Sequence, residues 1–300
     1  MSEAAPKAAP TTVTAPSGHA ATLKGALWML GSLTSLALMA IGGRELAGHL
    51  TTFQIMFWRS VFSLIIIASL LSHFGWGQVR TSALRVHATR SVFHFSAQFG
   101  WFYAIGVIPL VEVFALEFTT PIWLAVLAAL ILKERLTPVR IVSVVVGFVG
   151  VLVILRPGMS AISIGSLAAL GAAVGYAVTH VTTRFLALRD PPLCILFYMT
   201  AIQMPLGLAP ALVGWRWPGL ADWPWLVALG TASMTAHYTL TRAMQLVEAT
   251  VAAPMNFLRL PLIAAVGYIF YGENLELWVG VGAALICVAI FFNIRDAGRR

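Results

Sequence analysis

The chain has few charged residues and almost no cysteine. Only 10% of its 300 residues are Asp, Glu, Lys or Arg, whereas soluble domains carry about 25%. Hydrophobic residues make up 59%, so the composition argues against a soluble domain and predicts a polytopic membrane protein. The two cysteines, Cys194 and Cys287, lie inside apolar runs. That placement is typical of small buried residues and argues against a disulfide framework.

Motifs for ATP-driven or metal-dependent chemistry are absent from the sequence. No Walker motif occurs, which excludes ATP-driven pumping by this chain alone. Histidines do not occur at paired spacing with Cys or Asp, so we expect neither a metal site nor another cofactor. The few charges form no catalytic pair of the kind a membrane enzyme needs. Polar residues also do not recur along a pore, as a channel would require.

Long apolar segments lie between breaks that are rich in Gly, Pro and charge. A bilayer core about 30 Å thick needs roughly 20 apolar residues in a helix, and the chain offers ten such segments. The predicted spans are residues 24–43, 51–72, 85–106, 109–132, 138–155, 163–186, 192–214, 223–244, 249–271 and 275–294. An even number of spans places both chain ends on the same side of the membrane.

Lys and Arg are distributed unevenly between the two sides of these spans. If the N-terminus is cytoplasmic, 14 of the 19 fall on the cytoplasmic side, three on the external side and two, Arg59 and Arg259, inside spans. Basic residues concentrate on the cytoplasmic side of membrane proteins. We therefore expect a multi-pass protein of the bacterial inner membrane with both termini in the cytoplasm. The net charge of +8 is then a topology signal and does not indicate a nucleic-acid partner.

The two halves of the chain are weakly similar to each other. A shift of 140 residues aligns Arg44 with Arg184, and a shift of 139 aligns KERL at 133–136 with GENL at 272–275. Each half has five spans, an odd number, so the halves insert upside down relative to each other, as in secondary transporters. The predicted parts are a disordered cytoplasmic tail at 1–23, a first five-helix repeat at 24–158, an inverted second repeat at 159–294 and a cytoplasmic tail at 295–300.

Two stretches resemble the EamA family of the drug/metabolite transporter superfamily. They are FYAIGVIPLVEVFALEFTTPIWLAVLAALILKERLTPVRIVSVVVGFVGVLVILRPG at 102–158 and AMQLVEATVAAPMNFLRLPLIAAVGYIFYGENLELWVGVGAAL at 243–285. The resemblance covers residues 24–294. It implies an all-α polytopic membrane protein with ten transmembrane helices, arranged as two inverted five-helix repeats around a central cavity. Within the family, the chain looks most like bacterial exporters of aromatic and other amino acids.

Three ionisable residues are predicted near the middle of the membrane. Arg259 lies about 15 Å into its span, where a cation costs about 2.5–3.5 kcal/mol and should face protein or water. It is a candidate anchor for a substrate carboxylate, or one member of an ion pair between helices. Arg59 and Glu117 both lie about 12 Å from the external ends of their spans. Depth therefore favours a pair between these two, and Glu117 is also a candidate proton-binding group.

Aromatic and polar side chains in the spans are candidate substrate contacts, because a site for amphipathic solutes combines apolar walls with few polar groups. Besides Arg259, the candidates are Trp28, His94, Gln98, Trp101, Tyr103, Tyr176, His180, His237, Tyr238 and Asn256. For each aromatic residue the alternative is ordinary core packing or a membrane-interface belt. Pro121, Pro254 and Pro261 remove helical hydrogen bonds and are candidate hinges, with static kinks as the alternative.

Together these features predict a secondary transporter, not an enzyme. It would export aromatic and other neutral amino acids and related small metabolites across the inner membrane by alternating access. The alternative is an importer or exchanger of another metabolite, such as a nucleotide-like compound or a vitamin. The expected partners are the amino-acid substrate and the lipid bilayer. A monomer suffices because the two repeats complete one cavity. The pattern leaves the exact substrate, the net direction and the coupling ion open.

Overall fold

The computed structural model describes residues 19–131, 138–156, 162–187, 189–246, 259–274 and 276–297, and their regular structure is helical. The helices are α1 (His19–Ala47), α2 (Thr52–Phe74), α3 (Leu84–Val107), α4 (Leu110–Glu117), α5 (Thr120–Ile131), α6 (Pro138–Leu155), α7 (Ile164–Ala187), α8 (Pro192–Ala211), α9 (Asp222–Leu246), α10 (Arg259–Tyr271) and α11 (Leu277–Ala297), with a short 3-10 helix at Trp76–Val79. Because α4 and α5 share the fourth predicted span, these helices correspond to the ten predicted spans. The predicted all-α architecture is confirmed.

Helix ends coincide with local sequence signals. Thr51 caps α2, since its side-chain oxygen accepts from the backbone N–H of Gln54 at 3.3 Å and the Gln54 side chain reaches back to the Thr51 backbone N–H. This reciprocal arrangement satisfies two N–H groups that the first turn leaves unpaired. Directly after the C-terminal end of α10, Gly272 adopts φ +61. Glycine reaches this left-handed conformation without strain, and the helix ends there.

The fourth span is broken in its middle. Between α4 and α5, the backbone N–H of Thr119 donates to Leu116 O at 3.1 Å, a tighter pairing than that of an α-helix. The hydroxyls of Thr119 and Thr120 donate to the carbonyls of Leu116 and Glu117, each at 2.7 Å. Side chains therefore satisfy backbone groups that the break releases, as a membrane environment requires. Pro121, which has no N–H, follows directly.

Helix packing follows the symmetry expected of two inverted repeats. Among the most extensive interfaces are those that join α1 to α9 and α3 to α7, and exchanging the repeats converts one of these pairs into the other. Further inter-repeat interfaces include those between corresponding helices: α2 with α8, α4 with α10 and α6 with α11. In the last pair, a Cβ on Gly282 would lie only 2.6 Å from the carbonyl oxygen of Gly150. The absence of a side chain there permits the close approach.

Candidate functional site

An ion pair joins the two repeats deep inside the helical bundle. Nη2 of Arg259, at the start of α10, lies 2.5 Å from Oε2 of Glu117 at the end of α4. The indole N–H of Trp101 donates to the same carboxylate oxygen at 2.8 Å, and the guanidinium lies over the ring of Phe114, 4.5 Å from its centroid. Each repeat contributes one charge, so the pair couples their positions.

The predicted pairing of Arg59 with Glu117 is therefore wrong. Equal depth fixes the height of two side chains but not the direction in which each leaves its helix. Arg59 leaves α2 towards α8 and α9, where Nη2 donates to Gln203 Oε1 at 2.6 Å and Nη1 donates to Ser233 Oγ at 2.9 Å. Within the described ranges, no carboxylate forms an ion pair with Arg59. Its side chain nevertheless has 0% exposure.

A chain of hydrogen bonds extends from Arg59 to His94. The guanidinium can only donate, so the amide oxygen of Gln203 faces Arg59 and the amide nitrogen faces the other way. That nitrogen lies 2.8 Å from Nδ1 of His94 and donates to the carbonyl of Ser91 at 3.3 Å. Nδ1 must accept, which places the hydrogen of a neutral imidazole on Nε2. Arg59 thereby sets the tautomer of His94 through one intermediate.

Three further rings complete this region. The ring of His94 lies 5.9 Å from Tyr176 and 5.8 Å from His237, between centroids. Tyr176 is close enough to Glu117, Arg59 and Arg259 for their charges to act on its hydroxyl, so the hydrogen-bond chain and the ion pair belong to one region. His180 is exposed on α7 although many protein atoms lie around its ring. We call the following residues the central cluster: Arg59, His94, Tyr176, His180, Gln203, Ser233 and His237.

Several buried polar atoms at and beside the central cluster have no hydrogen-bond partner among the described residues. They are Nε of Arg59, Oγ of Ser91, Oε1 of Gln98 and Nη1 of Arg90. Buried polar groups in proteins are normally satisfied, and unsatisfied ones cost more where water is scarce. A polar ligand bound in this region would supply the missing partners.

The structure thus brings together His94, Tyr176, His180 and His237, with Gln98, Trp101, Glu117 and Arg259 beside them. Other predicted contacts lie elsewhere. Tyr103 lines a groove of about 440 Å³ between α3 and α7, on the other side of α3, together with Phe99. Trp28 packs edge-on against Tyr238 at 6.0 Å, and Tyr238 is 52% exposed. These two rings form a pair with each other. Asn256 and Pro254 lie outside the described residues.

Three residues of this region escaped the sequence analysis. Gln203 and Ser233 are single polar residues inside apolar spans, and only their contact with Arg59 reveals their importance. Arg90 counts among the basic residues of the predicted cytoplasmic side, but it is only 3% exposed and its Nε donates to Thr183 Oγ1 at 2.6 Å. A signal was available for Arg90, since it lies one helical turn before His94 and therefore on the same face.

The predicted external end is tied together by ion pairs. Arg44 on α1 pairs with Glu273, whose carboxylate also accepts from the backbone N–H of Leu110 at 2.9 Å. We call Arg44, Glu273 and this N–H group the external lock. Gly267 has no side chain at the point where a Cβ would lie 2.5 Å from the Glu273 carboxylate, so it makes room for the lock. A second pair, Arg156 with Glu276, is more exposed.

A different contact holds the predicted cytoplasmic end. The Asp190 carboxylate accepts from His87 Nε2 at 2.7 Å and from Thr81 Oγ1 at 2.8 Å, which joins the loop before α8 to the start of α3. Burial alone would raise the pKa of Asp190, but these hydrogen bonds and the nearby charges lower it below its ordinary value. The carboxylate is thus held in its charged form by its neighbours.

Comparison with known proteins identifies a family. The EamA-like transporter family matches the chain twice, at residues 23–156 and 163–295. The S-adenosylmethionine uptake transporter of Rickettsia prowazekii is 27% identical over 91% of this chain and 92% of its own length. The riboflavin transporter of Brucella anthropi is 30% identical over 81% of this chain and 88% of its own length. The pseudopaline exporter CntI of Pseudomonas aeruginosa is 28% identical over 88% of this chain and 93% of its own length.

A solved structure shares the fold. The crystal structure of another protein matches with a TM-score of 0.61 at 21% sequence identity, and the match covers 94% of this chain and 99% of the other. Nearly complete coverage of both chains means that the whole helical arrangement is shared. At this level of identity the match extends to the fold alone.

Proposed function

Since the chain belongs to the EamA-like transporter family and is thus an integral membrane protein with a small-molecule substrate, we propose that it takes up a small heterocyclic metabolite across the bacterial inner membrane by alternating access. This proposal favours the importer alternative of the sequence analysis over amino-acid export. We further propose that both termini are cytoplasmic, as the distribution of Lys and Arg predicts, and that one chain suffices because it holds both repeats.

The observation that carries this proposal is the central cluster itself. Its polar side chains come from both repeats, Arg59 and His94 from the first and Tyr176, Gln203 and His237 from the second. Secondary transporters with inverted repeats bind substrate between the repeats, near the midplane. Aromatic and imidazole rings beside unpaired hydrogen-bonding atoms suit a ligand that has a flat ring and polar substituents.

The relatives support the same class of substrate. One relative is named as an S-adenosylmethionine uptake transporter and another as a riboflavin transporter. S-adenosylmethionine contains an adenine ring, and riboflavin contains a flavin ring. We include Gln98, Trp101 and Arg259 in the proposed site because they adjoin the central cluster. Glu117 belongs there as the partner of Arg259 and as a candidate proton-binding group. We propose hinge roles for Pro121, Pro254 and Pro261.

The contacts at the two ends support a direction of opening. The external lock joins α1, the N-terminus of α4 and the segment after α10, which belong to both repeats. His180, towards the predicted cytoplasmic end of α7, is exposed. We therefore propose that this conformation is closed to the outside and opens the site towards the cytoplasm.

Uptake into proteoliposomes tests the function. Vesicles with purified full-length protein would receive radiolabelled S-adenosylmethionine, riboflavin, phenylalanine or tryptophan, with unlabelled compound inside for counterflow. We expect saturable uptake of a heterocyclic metabolite and a loss of at least tenfold in His94→Ala. Tyr268→Phe is the control, because Tyr268 is 63% exposed on α10 and contacts no residue of the central cluster in the described part of the chain.

Each outcome has a consequence. Counterflow of S-adenosylmethionine or riboflavin by wild type, lost in His94→Ala but kept in Tyr268→Phe, supports the proposal. Exchange of phenylalanine or tryptophan alone would restore the amino-acid transporter expected from the sequence. Wild-type protein that folds but exchanges none of the four compounds would contradict uptake of this substrate class.

A further inference from the structure

We propose that Arg59 binds an anionic group of the transported metabolite, a carboxylate or a phosphate. This inference rests on the transport function proposed above and adds the charge of the substrate to it. Arg59 thereby takes the role of substrate anchor for which the sequence made Arg259 a candidate, and Glu117 already balances the charge of Arg259.

Arg59 is buried without a counter-charge from the described residues. Arg59 has 0% exposure, and its guanidinium remains protonated in proteins. Its two partners, Gln203 and Ser233, are neutral. Buried charges in proteins are normally paired because desolvation is costly. Across the described residues, no carboxylate pairs with Arg59, and an anionic ligand would supply the missing negative charge.

Arg59 leaves part of its hydrogen-bonding capacity unused. A guanidinium has five N–H donors, and within the described residues Arg59 forms one bond from Nη1 and one from Nη2. Its Nε–H group is buried without a partner in the described part of the chain, as are those of Arg44, Arg156 and Arg259. An N–H pair on one edge of the planar guanidinium matches the two oxygens of a carboxylate or phosphate. The geometry that remains free is therefore suited to an oxyanion.

The other arginines differ from Arg59 in their partners. Arg44, Arg156 and Arg259 pair with Glu273, Glu276 and Glu117, respectively. Within the described part of the chain, three buried or half-buried arginines therefore have a carboxylate partner, whereas Arg59, the most buried arginine, has none.

The surroundings of Arg59 add to this difference. Arg90 donates to Thr183, and its Nη1 has no partner in the described part of the chain. It adds a second positive charge to this region. The charges of Arg59 and Arg90 act on both His94 and His237. The region around the central cluster thus has an excess of positive charge that an anionic substrate balances.

Two pairs of compounds test the charge preference directly. Riboflavin and flavin mononucleotide differ by one phosphate, and S-adenosylmethionine and its decarboxylated form differ by one carboxylate. Binding of all four to purified full-length protein would be measured by calorimetry. We expect the anionic member of at least one pair to bind roughly tenfold or more tightly, the effect of one charge-assisted hydrogen bond.

Variants assign this preference to Arg59. In Arg59→Gln we expect the anionic member to bind no better than its partner, while Arg59→Lys keeps part of the preference because it keeps the charge but not the planar fork. Arg156→Gln, at the predicted external end, should leave the preference unchanged. Equal binding within both pairs by wild type, or an undiminished preference in Arg59→Gln, would overturn the proposal.

Thermal unfolding provides a test that requires no ligand. Arg59→Gln removes a buried charge without exposing a partner of opposite charge, so we expect a Tm equal to or above that of wild type. Arg259→Gln leaves Glu117 unpaired and should lower the Tm. If the Tm of Arg59→Gln falls as far as that of Arg259→Gln, Arg59 has a structural role and the proposal is overturned. Should none of the four compounds bind, the Tm of these variants alone tests the proposal. If the anionic compounds bind but proteoliposomes accumulate none of them, the proposed transport function is contradicted while the proposed anion site is supported.

Discussion

A single amide determines what the centre of the protein presents to a ligand. Gln203 accepts from Arg59 with its oxygen and approaches Nδ1 of His94 with its nitrogen. Reversing this amide would place its N–H₂ group against the donor-only guanidinium, which is unfavourable. The orientation of Gln203, the tautomer of His94 and the unpaired edge of Arg59 therefore follow from one another, and changing one residue changes all three.

Gln203→Glu tests this coupling with a substitution of the same shape. The new carboxylate would lie about 2.6 Å from Nη2 of Arg59, as the amide oxygen does now, and would supply the missing counter-charge. We expect a higher Tm together with at least a tenfold loss of uptake, because Arg59 would no longer be available to a substrate anion. Gln78→Glu, in the short 3-10 helix, is the matched control. A lower Tm in Gln203→Glu would indicate that the charge of Arg59 is already balanced.

The pair of Glu117 and Arg259 predicts non-additive effects. Either Glu117→Gln or Arg259→Gln leaves one buried charge unpaired, at a cost of roughly 3 kcal/mol. The double variant removes both charges, so we expect its Tm to recover towards that of wild type. Unfolding of the two single variants and the double variant in a mutant cycle measures this coupling. Additive losses would mean that the two side chains act independently.

Asp190 predicts a defined dependence of stability on pH. Because its folded-state pKa is lowered, its carboxylate stabilises the fold fully above the unfolded-state pKa of about 4. That contribution is lost as the pH falls through the lower, folded-state pKa. We expect Asp190→Asn to have a lower Tm than wild type by a constant amount between about pH 5 and pH 7, and by a shrinking amount below about pH 4. A difference that persists at the acidic end would contradict this assignment.

At the scale of helices, the sequence predicted nearly everything that depends on apolar length. The ten spans and the break near Pro121 follow from runs of about 20 residues and from proline. The direction in which a side chain leaves its helix could not be predicted, because neither the hydrophobicity of a span nor the depth of a residue shows which neighbouring helix the side chain faces. This is why the pairing of Arg59 was wrong while the depth of Arg59, Glu117 and Arg259 was useful.

The break between α4 and α5 carries a prediction about conformational change. Pro121 prevents the two segments from joining into one continuous helix, and Glu117 lies directly before the break. We expect Pro121→Ala to lengthen the helix, to leave the Tm unchanged or raise it, and to slow uptake severalfold by stiffening the span. Pro210→Ala, near the end of α8, is the control. A variant with normal uptake would show that the break is a static kink.

At the scale of the whole molecule, inverted symmetry relates the two ends. Arg44 and Glu273 form the external lock, and the repeat offsets of 140 and 139 align them with Arg184 and Glu134. The side chains of Arg184 and Glu134 lie outside the described residues. The sequence alone nevertheless predicts that these two residues serve the opposite end when the molecule opens to the outside, because exchanging the repeats exchanges the two conformations.

This symmetry predicts opposite effects from two equivalent substitutions. Glu273→Gln weakens a contact of the externally closed state. Losing a partly buried pair worth about 1 kcal/mol should raise the ratio of externally open to closed protein about fivefold. Glu134→Gln should lower that ratio. Both effects can be measured as the rate at which an external, membrane-impermeant maleimide labels Ala40→Cys, a buried position one turn below Arg44, with Cys194 and Cys287 replaced by serine.

Glu276→Gln is the matched control, because its pair with Arg156 is more exposed and exposed pairs contribute little. We expect faster labelling in Glu273→Gln, slower labelling in Glu134→Gln and no change in the control. That result would mean that Glu273 keeps the external end closed and that Glu134 keeps the cytoplasmic end closed. A change in the same direction in both variants would instead indicate that the two carboxylates act on overall stability. The alternation would then have to be driven from the centre, by the charge on Arg59 and the ligand that balances it.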